Sequence, residues 1–115
     1  MTETPHLDTE ALAELQEVME DEFDVLIQTF LSDSEGRIQA LWQALESSDE
    51  ESFRKSAHSF KGSCINIGAP RLGEHCFYAE QAARAGRLQD AGDSLRAIES
   101  EFEAVTDALN ELLQR

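Results

Sequence analysis

The sequence is poor in the residues that build sheets, disulfide frameworks and membrane spans. It contains two prolines, two cysteines, six glycines and one tyrosine in 115 residues, and Ala, Leu and Glu far outnumber Val, Ile and Thr. This balance favours helices over strands. No apolar run approaches the roughly 20 residues that cross a bilayer, and the N-terminus lacks the features of a secretion signal. We therefore expect one cytoplasmic domain over residues 1–115, in which Cys64 and Cys76 are reduced thiols.

Basic residues are also scarce, and they are unevenly distributed. The chain has 9 Lys and Arg against 24 Asp and Glu, a net charge of −15. This negative charge disfavours nucleic acid and anionic membrane surfaces as partners. Residues 54–87 nevertheless hold six basic residues against two acidic ones. The middle of the chain is therefore a basic island between two acidic flanks.

Apolar residues recur at steps of three and four and predict five helices. Asp8 is expected to cap a short first helix after a frayed tail over residues 1–7. A long amphipathic helix follows, from about Phe23 to about Ser47. The last helix is expected to start after a link that contains Gly92. Short connections make neighbours antiparallel, so we predict an all-α fold, an antiparallel four-helix bundle with an additional short N-terminal helix.

The third and fourth helices have recognisable ends in the sequence. Ser48 and Glu51 have the spacing of a capping box, which opens the third helix. Gly68 suits the left-handed residue that closes it. Pro70 suits the first turn of the fourth helix, which ends near Gly86.

The third helix carries a polar cluster on the side opposite its apolar stripe. The residues of the stripe are Phe53, Ala57, Phe60, Cys64 and Ile67. At about 100° per residue, His58 points away from that stripe, and four residues lie within about 60° of its direction. These four are Arg54, Lys61, Gly62 and Ile65. A histidine in this position is expected to face solvent rather than the core.

These side chains suit a phosphoryl acceptor that is open to solvent. A neutral imidazole is a nucleophile that can form covalent intermediates. Lys61, one turn on, can reach the negative charge of a phosphoryl group on His58. Gly62 costs about 1 kcal/mol relative to alanine inside a helix, and its missing side chain leaves room for a partner. Ile65 is an apolar residue on the exposed face, as expected of a docking patch.

The stretch A-H-S-F-K-G-S-C-I-N-I-G-A at residues 57–69 resembles the signature of histidine-containing phosphotransfer (HPt) domains, the helical carriers of multistep phosphorelays. The matching positions are His58, Phe60, Lys61, Gly62, Asn66, Gly68, Ala69 and Leu72. Length and helix order fit across nearly the whole chain. The resemblance implies a stand-alone HPt protein, similar to the HptB-type carriers of pseudomonads.

The resemblance implies a role for each member of the cluster. His58 would take a phosphoryl group from the receiver domain of a hybrid sensor kinase and pass it to the receiver domain of a response regulator. Lys61 would stabilise the phosphoryl charge, and Gly62 would leave room for the receiver. Some members have a glutamine 22 residues after the histidine that contacts the imidazole. This chain has Glu80 there, whose carboxylate could hold an imidazole N–H.

The resemblance also suggests a purpose for the basic island. The receiver domains that partner this family carry a cluster of aspartates around a divalent ion, which basic residues would attract. Arg54, Arg71 and Arg84 are therefore candidate partner-binding residues, together with Gly62 and Ile65. Mg²⁺ would be held by the receiver, so we expect this chain to have no cofactor or metal of its own and to act as a monomer. It has no nucleotide-binding loop or kinase signature, which disfavours phosphorylation directly from ATP.

Two other interpretations remain on the sequence alone. One is a zinc site that combines Cys64, His75 and Cys76 with His58, although both cysteines point to the predicted core and no C-x₂-C spacing exists. The other is a non-catalytic helical adaptor that binds a partner through the basic and apolar patch around Ile65. Incubation with a phosphorylated receiver distinguishes an adaptor from a carrier.

Overall fold

The chain folds into a bundle of helices, which a computed structural model describes over residues 4–114. The elements are α1 (Thr9–Met19), a short 3₁₀ turn (Glu20–Glu22), α2 (Phe23–Glu46), α3 (Glu50–Ile67), α4 (Pro70–Arg84) and α5 (Leu88–Leu113). The described part contains no strand, and none of its helices combines the length and apolarity needed to cross a membrane. Helix α4 packs against α3 and α5, and α2 packs against the same two helices. The predicted all-α bundle with a short leading helix is confirmed.

The core is formed by the apolar stripes of these helices. Its largest fully buried side chains include Phe23, Ile27, Leu41, Phe53, Phe60, Leu72, Leu95, Ile98 and Leu109. Full burial of an apolar side chain of this size stabilises the fold by about 1.5–3 kcal/mol. Cys64 and Cys76 lie in the same core as free thiols, and the contact with Cys76 together with burial raises the pKa of Cys64. The cysteines therefore act as small apolar residues.

Three helix ends have the chemistry that the sequence predicted. The side chain of Asp8 accepts a hydrogen bond from the backbone N–H of Ala11 at 3.1 Å and caps α1. Gly68 ends α3 with a φ of 90°, in the left-handed region that favours glycine. A Cβ on Gly68 would also lie 3.5 Å from the carbonyl oxygen of Asp8. Pro70 occupies the first turn of α4.

Two helix boundaries differ from the prediction. Helix α3 is capped by Asp49 rather than Ser48, because the Asp49 carboxylate accepts from both the backbone N–H and the hydroxyl of Ser52, at 3.1 and 2.7 Å. Ser48 belongs to the preceding turn and has a φ of 55°. Gly92 lies inside α5 and not in a link before it. It faces α2, since a Cβ there would lie 3.6 Å from the Leu45 side chain, at ordinary van der Waals distance.

The segment before α1 is held against the bundle, whereas the sequence predicted a frayed tail over residues 1–7. The backbone N–H of Arg71 donates to the carbonyl oxygen of Pro5 at 3.2 Å. Nδ1 of His6 contacts the carboxylate of Glu101, a buried residue of α5. The described part of this segment is therefore anchored, and the first three residues of the predicted tail lie outside the described residues.

Candidate functional site

His58 lies on the outer face of α3, as its position in the helical repeat predicted. Its side chain is 65% exposed, while Ala57 and Phe60 on either side of it are fully buried. Its Nδ1 atom lies 2.9 Å from Oε2 of Glu80 on α4. Because Nδ1 is turned toward α4, Nε2 is the ring nitrogen that an approaching partner can reach.

Glu80 is a buried carboxylate shared by three basic side chains, and only 2% of it is exposed. Besides His58, Lys61 donates from Nζ to Oε1 at 2.9 Å, and Arg84 donates from Nη2 to Oε2 at 3.3 Å. Burial alone raises the pKa of a carboxyl group, but the hydrogen bonds and charges of Lys61 and His58 outweigh it and hold the pKa of Glu80 below its usual range. An ionised carboxylate only accepts hydrogen bonds, so in the neutral ring of His58 Nδ1 carries the proton and Nε2 the lone pair.

Lys61 is held between Glu80 and an aromatic ring that the sequence analysis did not identify. Its side chain is 23% exposed, and Nζ lies 5.5 Å from the ring centroid of Phe77 on α4. A cation over an aromatic face at this distance is attracted by the ring electrons. The ammonium group is therefore fixed one helical turn from His58.

The other predicted residues of α3 share the exposed face of His58. Ile65 is 60% exposed, and Arg54 lies one turn before His58, partly buried. A Cβ added to Gly62 would meet no atom of the described residues within 4 Å. Packing within the described part of the chain therefore gives no reason for glycine at this position.

Two arginines lie where the sequence analysis did not place them. Arg71, predicted to bind the partner, donates from Nε to the carbonyl oxygen of Thr4 at 2.6 Å and joins the N-terminal segment to α4 rather than the His58 cluster. Arg37 of α2 donates from Nη1 to Oγ of Ser59 at 2.7 Å, directly beside His58. It is the only basic residue among residues 1–53. This isolation is the sequence signal that could have identified Arg37 as part of the site.

The arrangement does not support the zinc interpretation. Within residues 4–114 no group of three or more His, Cys, Asp or Glu side chains is placed to hold a metal ion. Cys64 and Cys76 are fully buried, while His58 faces solvent from the other side of α3. These side chains therefore cannot share one ion.

The site has the groups needed for transfer of a phosphoryl group and is open to solvent. Its nucleophile is an imidazole nitrogen with a free lone pair, its other ring nitrogen is fixed by a carboxylate, and an ammonium group lies one turn away. Nucleophilic transfer requires the donor to be held in line with that nitrogen. Since His58 is exposed, a donor held in the pocket of another protein can reach it.

The comparisons with known proteins that find a match lead to one family. The sequence model of the Hpt domain matches residues 25–114. The crystal structure of histidine-containing phosphotransfer protein B (HptB) from Pseudomonas aeruginosa PAO1 is similar with a TM-score of 0.94 and 45% identity, and the match covers 98% of each chain. This likeness confirms the HptB-type resemblance seen in the sequence.

Two plant structures share the fold at lower identity. A protein from rice, described as a histidine-containing phosphotransfer protein, has a TM-score of 0.87 and 20% identity over 95% of this chain and 82% of its own. The phosphotransfer protein MtHPt2 from Medicago truncatula has a TM-score of 0.84 and 23% identity over 95% of this chain and 78% of its own. No curated protein sequence matches this chain.

Proposed function

Because the chain belongs to the Hpt domain family, a family of histidine phosphotransfer proteins in phosphorelays, we propose that His58 is the residue that carries the phosphoryl group. One observation supports this assignment above all: the ionised Glu80 holds the proton on Nδ1 and leaves the lone pair on the exposed side of the ring. His6 also contacts a buried carboxylate, that of Glu101, but at His58 the carboxylate is combined with an exposed ring and with the ammonium group of Lys61 one turn away.

The proposed reaction is a displacement at phosphorus. Nε2 of His58 attacks the phosphoryl group of a receiver's phospho-aspartate, the N–P bond forms as the P–O bond breaks, and the electron pair leaves with the aspartate carboxylate. The ring gains positive charge in this step, which Glu80 stabilises through Nδ1–H. Lys61 offsets the negative charge of the phosphoryl oxygens. Transfer to a second receiver is the same displacement in reverse.

Receiver domains are the partners of this family, and we propose that the two receivers belong to a hybrid sensor kinase and to a response regulator. The charge around His58 supports this, because Lys61, Arg84 and Arg37 lie near it on a chain with a net charge of −15. Such a local positive field would attract the acidic pocket of a receiver. We further propose that the receiver holds the required Mg²⁺, and that the chain acts as a monomer in the cytoplasm.

Incubation with phosphorylated receiver domains tests the assignment. The receiver domains of the source organism are phosphorylated, freed of the small donor and mixed one by one with this chain. We expect at least one of them to produce an acid-labile, base-stable label, and His58→Gln to abolish it while the helical content stays the same. His6→Gln and His75→Gln are the matched controls, since they remove the only other histidines. A label that survives His58→Gln contradicts the proposal.

The same experiment distinguishes the carrier from a non-catalytic adaptor. An adaptor would bind the receiver through the surface around Ile65 and remain unlabelled. The Glu80 cluster favours the carrier, because docking alone does not require a buried carboxylate behind the histidine. Labelled ATP without any receiver is expected to leave the chain unlabelled, because a phosphocarrier takes its phosphoryl group from another protein.

A further inference from the structure

The turn between α1 and α2 holds one residue in an unfavourable backbone conformation. Glu20 has a φ of 50° and a ψ of −116°, and no side-chain hydrogen bond caps the 3₁₀ turn that starts there. A positive φ is unfavourable for a residue with a side chain, and it persists only where the surrounding contacts impose it. The packing of α1 therefore stores backbone strain at Glu20.

Helix α1 folds back over the start of α2. Leu15 and Met19 of α1 line one groove together with Leu26 and Phe30 of α2. In one straight helix, a rise of 1.5 Å per residue would place Leu15 and Phe30 about 22 Å apart. Side chains on both sides of the turn share this groove because the chain reverses its direction there. The two helices therefore form a hairpin, and Glu20 lies at its hinge.

The apolar repeat nevertheless runs through the hinge as it would in a single helix. Its steps of three and four residues keep their phase across the turn, at Leu12, Leu15, Met19, Phe23, Leu26 and Phe30. Such a repeat places its members on one face of a continuous helix. The hinge itself reads Glu-Asp-Glu and has no proline or glycine to interrupt a helix. The same sequence therefore suits either a hairpin or one helix over Thr9–Glu46, about 57 Å long.

Acidic residues around the hinge disfavour the continuous helix. In such a helix they would lie three or four residues apart, at Glu17, Glu20, Asp21 and Asp24. Like charges at these spacings repel each other and destabilise a helix. The hairpin thus carries backbone strain and the continuous helix carries charge repulsion, so the hinge has two competing conformations.

The contacts that hold α1 and the segment before it are ones that a second copy of the chain could accept. Leu12 is the only buried residue of α1, and a cavity of about 240 Å³ remains between α1 and α5. The backbone N–H of Asp8 donates to the carbonyl oxygen of Gly68 at 2.8 Å, and His6 and Pro5 contact α5 and α4. None of these contacts requires the two sides to belong to one chain.

We propose that this chain exchanges α1 and the segment before it with a second copy, as the hinge at Glu20 opens into a continuous helix. Each copy then fills the α1 groove of the other, so the contacts of the monomer are kept and only the hinge changes. A short strained hinge favours such an exchange. The monomer is the form at low concentration, and the exchanged dimer is the form that rises with concentration. His58, Lys61 and Glu80 lie outside the exchanged segment, so each half of the dimer keeps a complete site.

The pair Glu20→Gly and Glu20→Ala tests the hinge, because both variants lose the same charge. Glycine tolerates the positive φ of the hairpin and weakens the continuous helix, whereas alanine does the opposite. Each dimer contains two hinges, so we expect the dissociation constant of Glu20→Gly to exceed that of Glu20→Ala more than about tenfold. The measurement is sedimentation after the dimer fraction has become constant. Glu103→Ala on α5 is the control for the lost charge and should dimerise like the unaltered chain.

Two results of this measurement overturn the proposal. One is an equal dissociation constant in the glycine and alanine variants, since the dimer would then not involve the hinge. The other is the absence of any dimer of Glu20→Ala at millimolar concentration.

A distance within one chain separates an exchanged dimer from two hairpins that associate face to face. Spin labels are attached to Glu14→Cys and Asp33→Cys, two exposed positions, while Cys64 and Cys76 are fully buried. The labelled chain is mixed with an excess of unlabelled chain, so that only distances within one chain are seen. We expect a distance of about 28 Å in the dimer, the length of 19 residues of helix, and a shorter one in the monomer. A dimer with the distance of the monomer overturns the proposal.

The exchange is independent of the phosphotransfer function proposed above. His58→Gln should dimerise like the unaltered chain, so a failure to label His58 leaves the exchange standing. A chain that is labelled on His58 and shows no dimer overturns only the exchange.

Discussion

The Nδ1 atom of His58 lies 2.9 Å from one carboxylate oxygen of Glu80, and the other oxygen of that carboxylate lies 2.9 Å from Nζ of Lys61. The imidazole and the ammonium group both belong to α3, yet a single residue of α4 contacts both. A glutamine at this place could accept a hydrogen bond from Nδ1, but it would carry no charge to balance Lys61. The carboxylate therefore adds an electrostatic link between the two groups.

Glu80→Gln is expected to slow phosphotransfer to His58 about tenfold, equivalent to about 1.4 kcal/mol in the barrier. The amide still orients the ring, but it cannot offset the positive charge that the imidazole gains when it attacks. The measurement is the rate of labelling by a phosphorylated receiver at saturating concentration. Glu80→Ala should be slower still, because it also loses the orienting hydrogen bond. Equal rates in all three proteins would show that Glu80 has no part in the transfer.

The stability of the chain at acid pH should depend on Glu80. Its folded-state pKa lies below the ordinary value of 4.5, so folding favours the ionised form. This contribution to stability is fully present above pH 4.5 and is lost as the pH falls through the lowered pKa. We expect the difference in free energy of unfolding between the unaltered chain and Glu80→Gln to narrow as the pH falls below that value. Urea unfolding over a pH series measures it, and a difference that stays constant on acidification contradicts the assigned ionisation.

Lys61→Ala is expected to slow transfer by about 100-fold, the lower end of the range for removing one preorganised group that stabilises the charge of a transition state. The helical content should hardly change, since Lys61 is outside the buried core. Lys61→Met is the matched control for side-chain volume without charge and should be as slow as the alanine variant. Transfer at the unaltered rate in Lys61→Ala would remove its proposed role.

Gly62→Ala should stabilise the fold while it weakens receiver binding. The added methyl group meets no described atom within 4 Å, and alanine is favoured over glycine in a helix interior by about 1 kcal/mol. Gly36→Ala in α2, where a Cβ is equally unobstructed, measures the same helix effect on another helix. Gly62→Leu should abolish docking, which binding of the unphosphorylated receiver reports. Undiminished affinity in Gly62→Leu would refute the clearance argument.

Arg37→Glu should lower the rate of association with the receiver about fivefold at low salt, because it reverses a charge beside His58. The effect should shrink as salt is added, since exposed charges are screened. Arg96→Glu makes the same change in net charge on α5, where Arg96 pairs with Asp93 at 2.9 Å, and should leave the rate nearly unchanged. An equal loss in both variants would show that total charge matters and the position of Arg37 does not.

Features set by a single helix could be predicted from the sequence. The period of α3 places His58, Lys61 and Ile65 on the exposed face, because that period is the same in every α-helix. Gly68 and Pro70 also marked their helix ends correctly, since their backbone preferences are local.

Features that depend on how helices meet could not be predicted in the same way. Phe77 lies beside Lys61 only because of the register between α3 and α4, which the period of one helix does not reveal. The sequence favours a break at Gly92, because it does not reveal that Leu45, on a helix distant in the chain, packs beside it. Asp49 and Ser48 are both good cap residues, and the capping-box spacing of Ser48 and Glu51 favours the one that the structure does not use.

The exposure of His58 also affects how long a phosphoryl group would stay bound to it. With 65% of its side chain exposed to solvent, a phosphoryl group on Nε2 would have little protein between it and the surrounding water. Hydrolysis would then compete with delivery from the moment of loading. Under the proposed function, the openness that would let two receivers reach one nitrogen would also leave the loaded form unprotected from hydrolysis, so a signal would persist only while the next receiver is abundant enough to collect it.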